Sequence, residues 1–161
     1  MRIRNQLLLA ALGVVGLALV VRRGHRRTGM FLLIAAVGSE IMVDVAKRVV
    51  ERHRPPIVLH LDPMTNGAFP SGHAFNAMVV VGAVLVAWWH VRGRPPARWI
   101  WVLGALVPFV VGLTRVYLGV HWITDVIAGW LLGALWVALL ARIWLGDLPR
   151  RSAGSQRGAS E

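Results

Sequence analysis

The stretch WITDVIAGWLLGALWVALLARIWL, residues 122–145, has an aspartate near its start, an arginine near its end and little polar between them. A helix needs roughly 20 apolar residues to cross a hydrocarbon core, so this run spans a bilayer by itself. Four mostly apolar runs precede it: Leu7–Val21, Met30–Val45, Ala74–Trp89 and Trp99–Leu113. With their flanks they approach the same length. Hydrophobic residues make up 57% of the 161 and charged residues 16%, against about 25% charged in soluble domains. The expected fold is an all-α, polytopic transmembrane helical bundle of about five spanning helices, of which the first is the least clearly marked.

Met1–Val21 has the basic start and apolar stretch of a signal peptide. It lacks a small-x-small cleavage site, and RRGHRR follows at once, so it reads as a retained first helix. The loops between runs are short. One domain, 1–146, is expected, followed by a small, polar, basic tail, 147–161, that is expected to be disordered.

The net charge is +11. In a soluble domain that would suggest nucleic acid. In this composition it reads as the basic loops of a membrane protein, and no nucleic-acid partner is expected. Of the 18 Lys and Arg residues, 11 fall in the loops 22–29 and 92–98 and in the segment from Arg142 to the tail. Basic loops stay on the cytoplasmic side. That bias puts residues 47–56, 70–73 and 114–125 on the non-cytoplasmic face of a cell membrane. Trp88, Trp89, Trp99, Trp101 and Trp144 then form an aromatic belt at the cytoplasmic ends. With no cysteine, there is no disulfide or thiolate site.

Three polar clusters gather at the other ends of the runs: KRVVERHRPP (47–56), PSGH (70–73) and TRVYLGVHWITD (114–125). Lys47, Arg54 and Arg115 come from different segments and can surround one tetrahedral anion. Arginine supplies a fork matched to phosphate oxygens and lysine a point charge. The turn at Ser71 and Gly72 opens a helix, where backbone N–H groups bind anions, and Ser71 adds a hydroxyl. His73 can protonate a leaving group. His121 and Asp125 are four apart and share a helix face. A carboxylate on one ring nitrogen sets the tautomer and leaves the other free as nucleophile or base. Taken singly, such a pair is more often a structural hydrogen bond. The same face continues through Gly129 and Gly133, a small-xxx-small pattern that turns it toward the bundle. There is no His/Glu set at zinc spacing and no Gly-rich nucleotide loop, so neither metal nor cofactor is expected.

With these residues in place, the chain resembles the type 2 phosphatidic acid phosphatase superfamily. That family carries K-x6-R-P, P-S-G-H and S-R-x5-H-x3-D. Here they read Lys47-x6-Arg54-Pro55, Pro70-Ser71-Gly72-His73 and Thr114-Arg115-x5-His121-x3-Asp125, with threonine for serine as the one departure. The resemblance implies a membrane phosphatase without metal or cofactor. His121 would form a phosphohistidine, Asp125 would orient it, and His73 would protonate the leaving oxygen. Lys47, Arg54, Ser71, Gly72 and Arg115 would hold the phosphoryl oxygens. It implies a lipid phosphate or diphosphate as substrate, a polyprenyl diphosphate of the undecaprenyl type first. The alternatives are a phosphatidate or phosphatidylglycerophosphate phosphatase, or a non-catalytic phospholipid-binding or transport protein.

The remaining polar residues read more plainly. Arg48 and Arg52 are taken as boundary residues whose heads reach for water. Glu40 and Asp44 are intramembrane carboxylates, for which a local pair with Arg48 or Lys47 is expected. His60 and Asp62 are candidates for the site entrance. His25, His53 and His90 are expected at membrane boundaries.

Overall fold

The structure, a computed structural model, describes residues 2–22, 24–56 and 67–146. The described residues contain five helices: α1 (Arg2–Val21), α2 (Arg26–Val50), α3 (Gly72–Arg92), α4 (Arg98–Tyr117) and α5 (Ile123–Trp144). Four of them, α2 to α5, are long and apolar enough to cross a membrane. In α1 the apolar portion is Leu9–Leu19, the short member of the set. The fold is thus the expected all-α membrane bundle.

α3 occupies the centre, packed by α5, α4 and α2, while α1 lies chiefly against α2. The core is built from Phe31, Leu32, Ala35, Ala36 and Val43 of α2, Phe75, Val79 and Ala83 of α3, and Val137, Leu140 and Ala141 of α5. Lipid tails are as apolar as these side chains, so close van der Waals contact rather than water exclusion holds such helices together. Glycines allow that contact between α3 and α5. A Cβ on Gly129 would sit 2.8 Å from the Ser71 carbonyl, and one on Gly133 2.9 Å from the Phe75 carbonyl. The inward-facing glycine pattern of 129 and 133 is therefore realised. The opposite side of α5 carries Leu131, Leu135, Leu139 and Ile143, all exposed, as suits a helix with lipid outside.

The ends of the helices place the polar clusters. α2 stops where Glu51 turns into the left-handed region at φ 46° and its N–H bonds the Lys47 carbonyl. The chain then runs without helix through Pro55 and Pro56. Proline fixes φ and holds its predecessor out of the helical region. α3 starts directly after Pro70–Ser71, and α5 after a tight turn through Gly119 at φ 63°. Because successive helices run in opposite directions, the C-termini of α2 and α4 and the N-termini of α3 and α5 share one end of the bundle. The tryptophans at 88, 89, 99, 101 and 144 lie at the other end, where Trp89 and Trp101 meet edge to face at 6.3 Å.

Candidate active site

Lys47 comes from the last turn of α2, Arg115 from the last turn of α4, and Arg54 from the extended segment after α2. Ser71, Gly72 and His73 open α3, while His121 and Asp125 flank the start of α5. Backbone ties bring these pieces together. The Ser71 N–H donates to the Asp125 carbonyl at 2.9 Å, joining the entrances of α3 and α5. The Ala68 N–H donates to the Arg52 carbonyl at 2.8 Å, joining the extended segment to the approach to α3. Gly72 lets the first turn of α3 close on α2: a Cβ there would lie 3.1 Å from Val43 Cγ1 and 4.0 Å from Lys47 Nζ.

His121 is buried, and its two ring nitrogens face different partners. Nδ1 lies 3.6 Å from Asp125 Oδ2. Nε2 lies 3.5 Å from an Arg54 Nη. An Arg N–H can only donate, so this arrangement suits a neutral ring with its proton on Nδ1 and its lone pair on Nε2. Burial first, then the positive Arg54 and Lys47 and the neighbouring His73, pull the His121 pKa from 6.5 to about 3, with the Ala68 backbone working the other way. Asp125 is fully buried. Its Oδ2 also accepts the Trp122 N–H at 2.9 Å, which caps α5 with a carboxylate at the positive end of the helix dipole.

Arg54 reaches into the centre of this group. Its Nη1 donates to the Val120 carbonyl at 2.7 Å. Burial lowers its pKa, and the Asp125 carboxylate works against that. Arg115 is 7% exposed and donates from Nε to Thr114 Oγ1 at 3.3 Å. Lys47, Arg54 and Arg115 lie near enough to His73 to act on its charge. The Ser71 hydroxyl is buried with no hydrogen-bond partner among the described residues. All eight residues assigned to the site from the sequence thus lie at one end of the bundle. Among the described residues, no three His, Asp or Glu side chains lie close enough to hold a metal ion.

Two sequence readings change. Arg52 is not a boundary residue turned to water. One of its Nη atoms donates to Asp125 Oδ1 at 2.8 Å and to Thr124 Oγ1 at 2.7 Å, and its guanidinium lies 5.8 Å from the centre of the Trp122 ring. A signal for this was present: in an extended segment, residues two apart point the same way, so Arg52 follows Arg54. Glu40 does not pair with Arg48 or Lys47. It accepts a hydrogen bond of 2.8 Å from Asn76 across the α2–α3 contact. His53 is exposed, and its carbonyl accepts the Trp122 indole N–H at 3.1 Å. Asp44 does form the expected pair with Arg48, four residues on and in the open. His60 and Asp62 lie outside the described residues.

Known proteins resemble this chain in sequence and in fold. The sequence model of the PAP2 superfamily matches residues 28–147. An undecaprenyl-diphosphatase of Sulfolobus acidocaldarius is 37% identical over 133 residues, covering 80% of this chain and 60% of that protein. Phosphatidylglycerophosphatase B of Bacillus subtilis is 32% identical over 117 residues, covering 69% of this chain and 56% of that protein. The chain thus spans less than two thirds of the length of these curated relatives. A crystal structure of a transmembrane PAP2-type phosphatidylglycerolphosphate phosphatase from Bacillus subtilis superposes with a TM-score of 0.69 at 28% identity, over 85% of this chain and 68% of that one.

Proposed function

The chain belongs to the PAP2 superfamily, and from that premise we propose that it is a membrane phosphatase that hydrolyses the phosphomonoester or diphosphate of a membrane lipid. The observation that carries this reading is the setting of His121. Its Nδ1 faces a buried carboxylate and its Nε2 faces Arg54, with Lys47 and His73 close enough to act on its charge. Binding alone needs cations. It does not need a buried, neutral imidazole set beside an aspartate, which is the arrangement of a nucleophile. For that reason an enzyme is favoured over a non-catalytic lipid-binding or transport protein.

In the proposed reaction, His121 Nε2 attacks phosphorus as the bond from phosphorus to the lipid or phosphate oxygen breaks. His73 gives its proton to the departing oxygen. The phosphohistidine is then cleaved by water, which returns a proton to His73, releases inorganic phosphate and frees His121. Lys47, Arg54, Arg115, the Ser71 hydroxyl and the first N–H groups of α3 stabilise the charge spread over the phosphoryl oxygens. In phosphoryl transfer such stabilisation is the main part of catalysis. No step calls on a metal.

The likeness to the undecaprenyl-diphosphatase supports a polyprenyl diphosphate as the first substrate. A phosphatidylglycerophosphate is the second reading, supported by the Bacillus relative. The basic residues gathered in the loops away from the site support a plasma-membrane enzyme whose site faces the non-cytoplasmic side. The test is phosphate release by purified protein from polyprenyl diphosphate, phosphatidylglycerophosphate and phosphatidate, with and without EDTA. Turnover that survives EDTA and vanishes in His121→Ala is expected. Near-normal turnover in His121→Ala would overturn the nucleophile. His73→Ala should harm a lipid monophosphate more than p-nitrophenyl phosphate, whose leaving group needs no proton. An equal loss on both would remove the acid role of His73.

A further inference from the structure

Asp125 presents one carboxylate oxygen to His121, and the other oxygen is held by Arg52, which occupies one of the unspecified positions of the first family motif. Oδ1 accepts from Arg52 at 2.8 Å, while Oδ2 accepts the Trp122 N–H at 2.9 Å and faces His121 Nδ1 at 3.6 Å. Arg52 is itself fixed by Thr124 Oγ1 at 2.7 Å and by the Trp122 ring face. Its side chain keeps about a third of its surface open, whereas that of Asp125 has none. The guanidinium therefore acts as a lid over a buried carboxylate on the side away from His121. We infer that Arg52 is a positioning residue of the reaction: it sets the rotation of the Asp125 carboxylate and balances its charge, so that His121 stays neutral and aimed at the substrate.

This rests on His121 being the nucleophile. Two consequences follow from the geometry. The first is orientation. A carboxylate held at one oxygen only by the Trp122 N–H can rotate about its terminal torsion, which is broad. With both oxygens tied, the lone pair toward Nδ1 has a fixed direction. The second is charge. The groups that face the His121–Asp125 pair are Arg52 and Arg54 from the extended segment, Lys47 from α2 and His73 from α3, with Arg115 of α4 acting on His73. Arg54 faces the imidazole at Nε2, whereas Arg52 bonds the far oxygen of the aspartate, Oδ1. Without Arg52 the buried carboxylate is less compensated, and the His–Asp pair takes up a proton more readily, whichever of the two holds it.

Removal of Arg52 should leave the fold standing, because other bonds keep the same segment in place. Arg54 still holds the Val120 carbonyl, Trp122 still holds the His53 carbonyl, and Ala68 still bonds the backbone of residue 52. The effect should thus appear in turnover and its pH dependence rather than in substrate binding.

The experiment compares wild type, Arg52→Gln, Arg52→Lys and His121→Ala in detergent, with kcat and KM for p-nitrophenyl phosphate measured across pH and a thermal melt for each. Arg52→Gln should lose about 10- to 100-fold in kcat, by analogy with the loss when a partner that orients a metal ligand is removed. Its KM should stay within about twofold. The acid limb of kcat should move up by about one pH unit, the effect of taking an opposite charge from a close pair. The ionisation of the substrate is common to all variants and cancels in the comparison. Arg52→Lys keeps the charge and loses the fork, so it should hold the acid limb in place while recovering part of kcat. Wild-type kcat and profile in Arg52→Gln would overturn the inference, and so would a loss confined to KM, which would make Arg52 a substrate contact. If Arg52→Gln does not fold, Arg52→Lys decides: an acid limb moved as if the charge were gone would refute the charge role. Full activity in His121→Ala would instead sink the underlying reaction, which separates the two failures.

Discussion

Replacing Gly129 with alanine adds one methyl where α5 closely approaches the start of α3, next to the site. The new Cβ would lie 2.8 Å from the Ser71 carbonyl oxygen, 3.0 Å from Ala74 Cβ and 3.1 Å from the Phe75 nitrogen. Ordinary contact begins at 3.4 Å, so the start of α3 must move by about 0.6 Å. Two of the three neighbours are backbone and cannot swing aside. Overpacking of this kind costs about 1–3 kcal/mol. The displaced element carries Ser71, Gly72 and His73, and a shift approaching 1 Å in positioned groups costs up to about 100-fold in rate. Gly82→Ala is the control. It makes the same change inside a helix, but its Cβ would meet Val137 Cγ1 at 3.4 Å, an ordinary contact. The helix-propensity gain of alanine, about 1 kcal/mol, is common to both variants and drops out of their difference. The assay is a thermal melt in detergent paired with phosphate release. Gly129→Ala should melt well below Gly82→Ala and turn over far more slowly. Equal melting and equal rates would refute the claim that clearance at Gly129 seats the PSGH turn.

Two further outcomes are expected. With a pKa of about 3 in place of 6.5, His121 should remain neutral as pH falls to 5, where an unperturbed histidine would be only about 3% neutral. Carbon-13 histidine NMR, with His121 assigned by its loss in His121→Ala, should show no titration of this ring above pH 5, and a midpoint near 6.5 would contradict the burial argument. The sign for stability follows: the unfolded chain takes up this proton near 6.5 and the folded chain only near 3, so the contribution of His121 is whole above about 6.5 and declines as pH falls between the two. For orientation, Tyr117→Cys, which replaces a side chain 91% exposed at the site end, and Arg94→Cys at the opposite end are treated with an impermeant thiol reagent in intact cells. Tyr117→Cys should be labelled and Arg94→Cys spared, and the reverse pattern would invert the proposed topology.

The sequence by itself determined the bundle and the membership of its polar end. Apolar runs of spanning length permit little besides helices in lipid, because every backbone group must be satisfied within its own segment. Short connections make those helices alternate in direction, so the clusters at 47–56, 70–73 and 114–125 had to share one end. The spacing of His121 and Asp125 is a single helical turn and can be read without a structure. Tertiary structure decided what crosses between elements. Arg52 and Arg48 are both arginines at the end of α2, and composition treats them alike. Beyond Glu51 the chain leaves the helix, which turns Arg52 toward Asp125, while Arg48 stays on the outer face of α2 beside Asp44. Glu40 likewise met Asn76 rather than a neighbour on its own helix, because the α2–α3 packing brings the two side chains together. Such contacts depend on the rotation and close approach of helices far apart in the chain. Gly72 lets α3 close on α2, and Gly129 and Gly133 let α5 close on α3, but no local pattern records which residues will face each other across the gap.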